Sequence, residues 1–137
     1  MATEEVSKPE GAFRCLIADD SEYARSNIAR VIEKLGGTVA GEAGSGHEAA
    51  ALYRTLRPDL VLLDITMPEL DGVEALRQIR EYDGEAKVIM VSSLGHKEMV
   101  WKAIRLGAKH FITKPFTPEY ASLVIRSVIA GDRGGGP

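Results

Sequence analysis

Four apolar runs in this sequence stop abruptly at polar residues capable of chemistry. FRCLIA (13–18) leads into Asp19-Asp20, DLVLL (59–63) into Asp64, KVIMV (87–91) into Ser92-Ser93, and KHFIT (109–113) into Lys114-Pro115. If the runs are neighbouring strands, three acids, a hydroxyl and an ammonium share one edge. A carboxylate can serve as the covalent nucleophile in phosphoryl transfer, forming an aspartyl phosphate. The reaction then needs positioning and charge neutralisation more than further covalent chemistry. Asp64 is the candidate nucleophile; Lys114 can offer a point charge and Ser92 a hydrogen bond to the incoming group. Converging carboxylates raise at least one pKa unless a cation intervenes. An oxygen-only donor set without clustered Cys or His favours a hard cation, and Mg²⁺ is the expected one. Taken singly, each residue has a plainer reading, since strand-end Asp and Ser commonly serve turns and caps. The conjunction carries the argument.

The elements that must position these residues follow from periodicity. The runs above, with TVAGEA (38–43), are about five residues long and mostly aliphatic, as expected of buried strands. Between them lie amphipathic stretches. Ser21 precedes a helix over 22–35 with Ile28, Val31, Ile32 and Leu35 at helical spacing, stopped by Gly36-Gly37. Ser45 can cap a helix over 47–56 and Asp71 a third with the stripe Val73, Leu76 and Ile79. A fourth covers 96–106 and closes at Gly107, and a fifth starts at Pro118 and runs to 130. Five strand–helix alternations predict an α/β fold, a doubly wound parallel sheet flanked by five helices. The leading strand order is the flavodoxin-like 2-1-3-4-5, with the site beyond the carboxyl ends of the strands. Residues 1–12 read as a flexible tail, 13–130 as one domain, and 131–137 as a glycine-rich tail or the start of a linker.

Composition narrows the function classes. The 137 residues carry 17 Lys+Arg against 20 Asp+Glu, a formal net charge of −3, so no basic footprint points to direct nucleic-acid binding. The lone Cys15 gives no internal disulfide and reads as a small buried hydrophobe. His47, His96 and His110 lack metal-ligand spacing. No apolar run is long enough to span a membrane, and the expected location is the cytoplasm.

The segments LIADDS, LVLLDITMPELDG, VIMVSS and FITKPF resemble the signature blocks of the receiver domain of two-component response regulators. The resemblance covers residues 13–130, and ITMPELDG, SSLG and GAKHFITKPF are most similar to the stand-alone chemotaxis (CheY-like) type. It implies that Asp64 is the phosphoacceptor, with Asp20 a direct Mg²⁺ ligand, Asp19 one acting mainly through water, and the Thr66 backbone carbonyl a further ligand. It also implies Ser92 as the switch hydroxyl, Phe111 as the switch aromatic, and Lys114 as the phosphoryl contact before a cis Pro115. The implied partners are a histidine kinase or phosphotransfer protein, and a target on the surface of the fourth helix, fifth strand and fifth helix. The chain would then be a monomer or a weak phosphorylation-dependent dimer. It would catalyse only its own phosphorylation and dephosphorylation, slowly in the latter case because Thr66 and Leu94 are neither acids nor amides.

Two other readings compete with this one. A haloacid-dehalogenase-type phosphatase also uses a strand-end Asp, but Thr66 stands where its second Asp belongs and no sequence is left for a cap. A receiver of a longer regulator with a DNA-binding or enzymatic output domain stays open at the glycine-rich end. In the fourth helix, Val100, Ala103, Ile104 and Gly107 are expected to face inward. Trp101 lies about 100° from that stripe, at the core edge or as a partner anchor.

Overall fold

Aliphatic and β-branched runs without internal helical spacing form five strands, and the amphipathic stretches between them form five helices. The computed structural model describes residues 12–67, 71–93 and 95–131. In chain order these are β1 (Arg14–Ala18), α1 (Glu22–Lys34), β2 (Thr38–Ala43), α2 (Gly46–Leu56), β3 (Leu60–Asp64) and α3 (Gly72–Tyr82). They are followed by β4 (Val88–Ser93), α4 (Lys97–Arg105), β5 (His110–Lys114) and α5 (Pro118–Gly131). All neighbouring strands pair in parallel, in the order β2-β1-β3-β4-β5. This is the expected doubly wound sheet, with its order reversing between β1 and β3.

Successive side chains of a strand point to opposite faces, and each face is covered. Leu16, Val61, Leu63, Val88 and Met90 pack under α2, α3 and α4 through Ala49, Tyr53, Leu76, Ile79 and Ala103. Cys15, Ile17, Leu60, Leu62, Ile89 and Ile112 pack under α1 and α5 through Ile28, Ile32, Val124 and Ile125. Burial pushes the Cys15 thiol pKa well up, so this cysteine is an inert core residue.

Helix starts near the site are defined by side-chain caps. Ser21 Oγ accepts the Ala24 N–H, Ser45 Oγ the Glu48 N–H, and Asp71 Oδ1 the Glu74 N–H. Glu48 Oε1 in turn accepts the N–H of Gly44, the residue before the cap. Gly72 brings α3 against β3: a Cβ there would lie 2.0 Å from the Asp64 carbonyl oxygen.

Some boundaries shift from expectation. β3 begins at Leu60 rather than Asp59, whose N–H donates to the Arg14 carbonyl at 2.8 Å and whose Oδ2 accepts the Arg14 N–H at 2.7 Å. β4 runs on through Ser92 and Ser93, and α5 continues through Gly131. The inward stripe of α4 also needs correction. Met99, Val100, Ala103 and Leu106 pack toward the core, whereas Ile104 is 37% exposed. The helix is rotated about its axis relative to the expected orientation, which leaves Trp101 and Ile104 outside together. The tails at 1–11 and 132–137, Pro68 and Leu94 lie outside the described residues.

Candidate functional site

The carboxyl ends of β1 and β3 are adjacent in the sheet, so Asp19 and Asp64 emerge side by side. Asp19 is 1% exposed and Asp64 5%, while Asp20 lies at the exposed rim. One carboxylate oxygen from each of Asp19, Asp20 and Asp64 falls within 4.8 Å of the others. Asp19 is held at four atoms. Its N–H donates to the Ala43 carbonyl (3.0 Å), and its own carbonyl accepts from Arg25 Nη1 (2.6 Å). Its Oδ1 accepts the Ser21 N–H (2.9 Å) and its Oδ2 the Lys114 ammonium (2.9 Å).

Lys114, the last residue of β5, reaches across the end of β4 to bring its Nζ within 3.6 Å of Asp64 Oδ2 as well. The bond to Pro115 is cis. Asp64 Oδ1 accepts the Thr66 N–H at 3.3 Å. Burial, followed by the charge of Asp19, pushes the Asp64 pKa up to about 6, against the pull of Lys114 and the Thr66 N–H. Burial works against the Lys114 ammonium, but its bonds to Asp19 and Asp64 prevail and hold its pKa above the ordinary value. The cluster is therefore a set of hard oxygen donors carrying more negative charge than one lysine neutralises. That donor chemistry fits a divalent cation of the Mg²⁺ kind.

The β4–α4 side is built differently. Ser92 is 3% exposed, but its hydroxyl donates to the Ser93 carbonyl at 2.9 Å rather than to Asp64. His96 occupies the N-cap of α4 without a side-chain cap bond, and its buried Nδ1 has no hydrogen-bond partner among the described residues. Phe111 is half-buried, packed against the α4-side core. Ser92, His96, Val100, Trp101, Ile104 and Phe111 border a groove of about 450 Å³ in which Trp101 is 62% exposed. Among the residues singled out in the sequence, Asp19, Asp20, Asp64, Thr66 and Lys114 thus come together. Ser92 and Phe111 stand one element away, beside the groove.

Residues 15–126 match the response regulator receiver domain family, most of the chain. The chain belongs to the response regulator receiver domain family. Receiver domains are signalling switches that bind Mg²⁺ at an acidic pocket. Thermotoga maritima chemotaxis protein CheY is 48% identical over 105 residues, spanning 77% of this chain and 88% of that protein. Escherichia coli response regulator UvrY is 35% identical over 119 residues, spanning 86% of this chain and 55% of that protein. Among solved structures, a complex of CheX, CheY, BeF₃ and Mg²⁺ from Borrelia burgdorferi superposes with a TM-score of 0.82 at 36% identity, covering 86% of this chain and 90% of that one. Among the described residues, no helix of this receiver is long and apolar enough to cross a membrane.

Sequence reasoning passed over Arg25, whose guanidinium bonds the Asp19 carbonyl and Glu42 Oε1 (2.8 Å). The one signal available was an arginine one turn into the helix that follows the Asp pair. Glu42 gave none, since it reads as an ordinary strand acid. His96 was set aside for lacking metal-ligand spacing, and its place as an unbonded N-cap depends on how the β4–α4 connection folds.

Proposed function

We propose that this receiver is a chemotaxis-type signalling switch that takes a phosphoryl group onto Asp64 from a histidine kinase or phosphotransfer protein. The observation that carries the proposal is the linkage of Asp19 and Asp64 through one lysine, Lys114 Nζ lying 2.9 Å from Asp19 and 3.6 Å from Asp64. It supplies a buried nucleophile, an acidic donor set and a positive charge in one place. The greater identity to CheY than to UvrY supports chemotaxis over a regulator with another output.

In the forward reaction an Asp64 carboxylate oxygen forms a bond to phosphorus. The bond from phosphorus to the donor imidazole nitrogen breaks, and the imidazole departs with that electron pair. Asp19, Asp20, Asp64 and the Thr66 carbonyl would hold Mg²⁺, whose charge would stabilise the phosphoryl oxygens. Lys114 contacts one of those oxygens, exchanging part of its bond to Asp19 for a charge-assisted bond to the phosphoryl group.

The signal then passes to the groove side. The aspartyl phosphate adds negative charge and strong acceptor oxygens. The Ser92 hydroxyl turns from the Ser93 carbonyl toward them, and Phe111 moves into the space released. That biases the surface of α4, β5 and α5 between two states, one of which binds a target protein. The sheet geometry supports this route, because Ser92 and Thr113 are paired across β4 and β5, two residues along β5 from Phe111.

The test is intact-mass measurement after incubation with acetyl phosphate and Mg²⁺. Wild type is expected to gain about 80 Da, one phosphoryl group, and Asp64→Ala to gain nothing. An equal adduct on both proteins, or none on wild type under conditions that modify other receivers, would overturn the assignment.

A further inference from the structure

The three carboxylates of the acidic cluster are not held alike. Asp64 receives the Thr66 N–H and faces Lys114, and Asp19 is bonded at both carboxylate oxygens. Asp20 stands at the exposed rim, so the aim of its side chain depends on the backbone that carries it. The peptide joining Asp19 to Asp20 begins at the Asp19 carbonyl, and a side chain from α1 grips that carbonyl: Arg25 Nη1 at 2.6 Å. The Nε of the same guanidinium bonds Glu42 Oε1 on β2 at 2.8 Å. The adjacent β2 residue, Ala43, accepts the Asp19 N–H. Strand β2 therefore braces Asp19 twice, directly through Ala43 and indirectly through Glu42 and Arg25.

We propose that Arg25, held by Glu42, is a positioning residue for the divalent cation: by fixing the Asp19 carbonyl it sets the plane of the Asp19–Asp20 peptide and so aims the Asp20 carboxylate. The planar guanidinium suits the task because two of its N–H groups point to different partners in a fixed geometry. Outer-shell partners of this kind orient metal ligands, and their loss typically costs about 10–100-fold in affinity or activity. The inference rests on the reading of the acidic cluster as a Mg²⁺ site.

The discriminating variant is the double substitution Arg25→Met with Glu42→Gln. It removes one positive and one negative charge together, so net charge is unchanged and the loss of bracing is separated from a change of field. Mg²⁺ alone is titrated into wild type and variant by calorimetry. Thermal unfolding in EDTA confirms the folded fraction, and phosphorylation by acetyl phosphate is followed at limiting and saturating Mg²⁺. The expected result is Mg²⁺ affinity weakened by about tenfold, with a phosphorylation rate that recovers at saturating Mg²⁺. A purely structural role would lower the unfolding midpoint and leave the Mg²⁺ affinity of the folded protein alone. Should the double variant fail to fold, Arg25→Lys keeps the charge but loses the two-pronged geometry, and a smaller weakening is expected. Unchanged affinity in the folded variant, or a rate loss that persists at saturating Mg²⁺, overturns the inference. Absence of Mg²⁺ binding by wild type would instead remove the metal-site reading beneath it.

Discussion

The two sides of the site are built to different standards of order. On the β1–β3 side, Asp19 is bonded at its N–H, its carbonyl and both carboxylate oxygens, with β2, α1 and β5 all contributing. On the β4–α4 side, the Ser92 hydroxyl bonds its neighbour's carbonyl rather than the acidic cluster, α4 begins at His96 without a side-chain cap bond, and Trp101 and Ile104 face outward over a groove. An uncapped helix start leaves orphan N–H groups, and few buried contacts make a region cheaper to rearrange. The difference teaches a division of labour. Under the proposed function, groups that would bind a cation and a phosphoryl group gain from being fixed beforehand, whereas a surface that would report their state gains from having two accessible arrangements.

The largest expected effect tests how far the ordered side depends on its one bridging cation. Lys114→Met leaves two buried carboxylates facing each other, so stability in EDTA at pH 7 should fall by about 3 kcal/mol in urea denaturation. If the acidic cluster holds Mg²⁺ as proposed, the ion should restore part of the loss, because a ligand of the folded state alone stabilises that state. A variant as stable as wild type would mean that the acidic side is not held by charge.

A second test sharpens the electrostatic part. The folded pKa of Asp64 is raised to about 6, so between about pH 4 and 6 the folded state binds more protons than the unfolded chain. Wild-type stability in EDTA therefore contains a contribution that falls as pH rises through that window. Asp64→Asn lacks this titration. The stability of the variant relative to wild type should grow from near zero below about pH 4 to about 2–3 kcal/mol above pH 6, by urea midpoints at each pH. A difference independent of pH would contradict the strained carboxylate.

The smallest effect belongs to the other side. Trp101→Ala should change stability by no more than about 0.5 kcal/mol and leave the 80 Da adduct of about one phosphoryl group intact. A thermal unfolding shift worth more than about 1 kcal/mol would make Trp101 a core residue and weaken the contrast between the two sides.

The sequence by itself determined the strand–helix alternation, the sheet order and the edge on which Asp19, Asp20, Asp64 and Lys114 meet. These features are encoded locally: aliphatic runs that stop at a polar residue, Ser21, Ser45 and Asp71 as caps, and crossovers of one hand. Only the tertiary structure decided the rest. Helical periodicity fixes angles within α4 but not its rotation about its own axis, which packing against β4 and α3 sets, and so Ile104 is outside and Met99 inside. The sequence does not say which acceptor the Ser92 hydroxyl takes, and in the fold it is the Ser93 carbonyl. Arg25 and Glu42 are 17 residues apart and meet because β2 lies beside β1 and α1 crosses them both. Spacing tells which residues share an edge; the three-dimensional packing decides which of them hold one another.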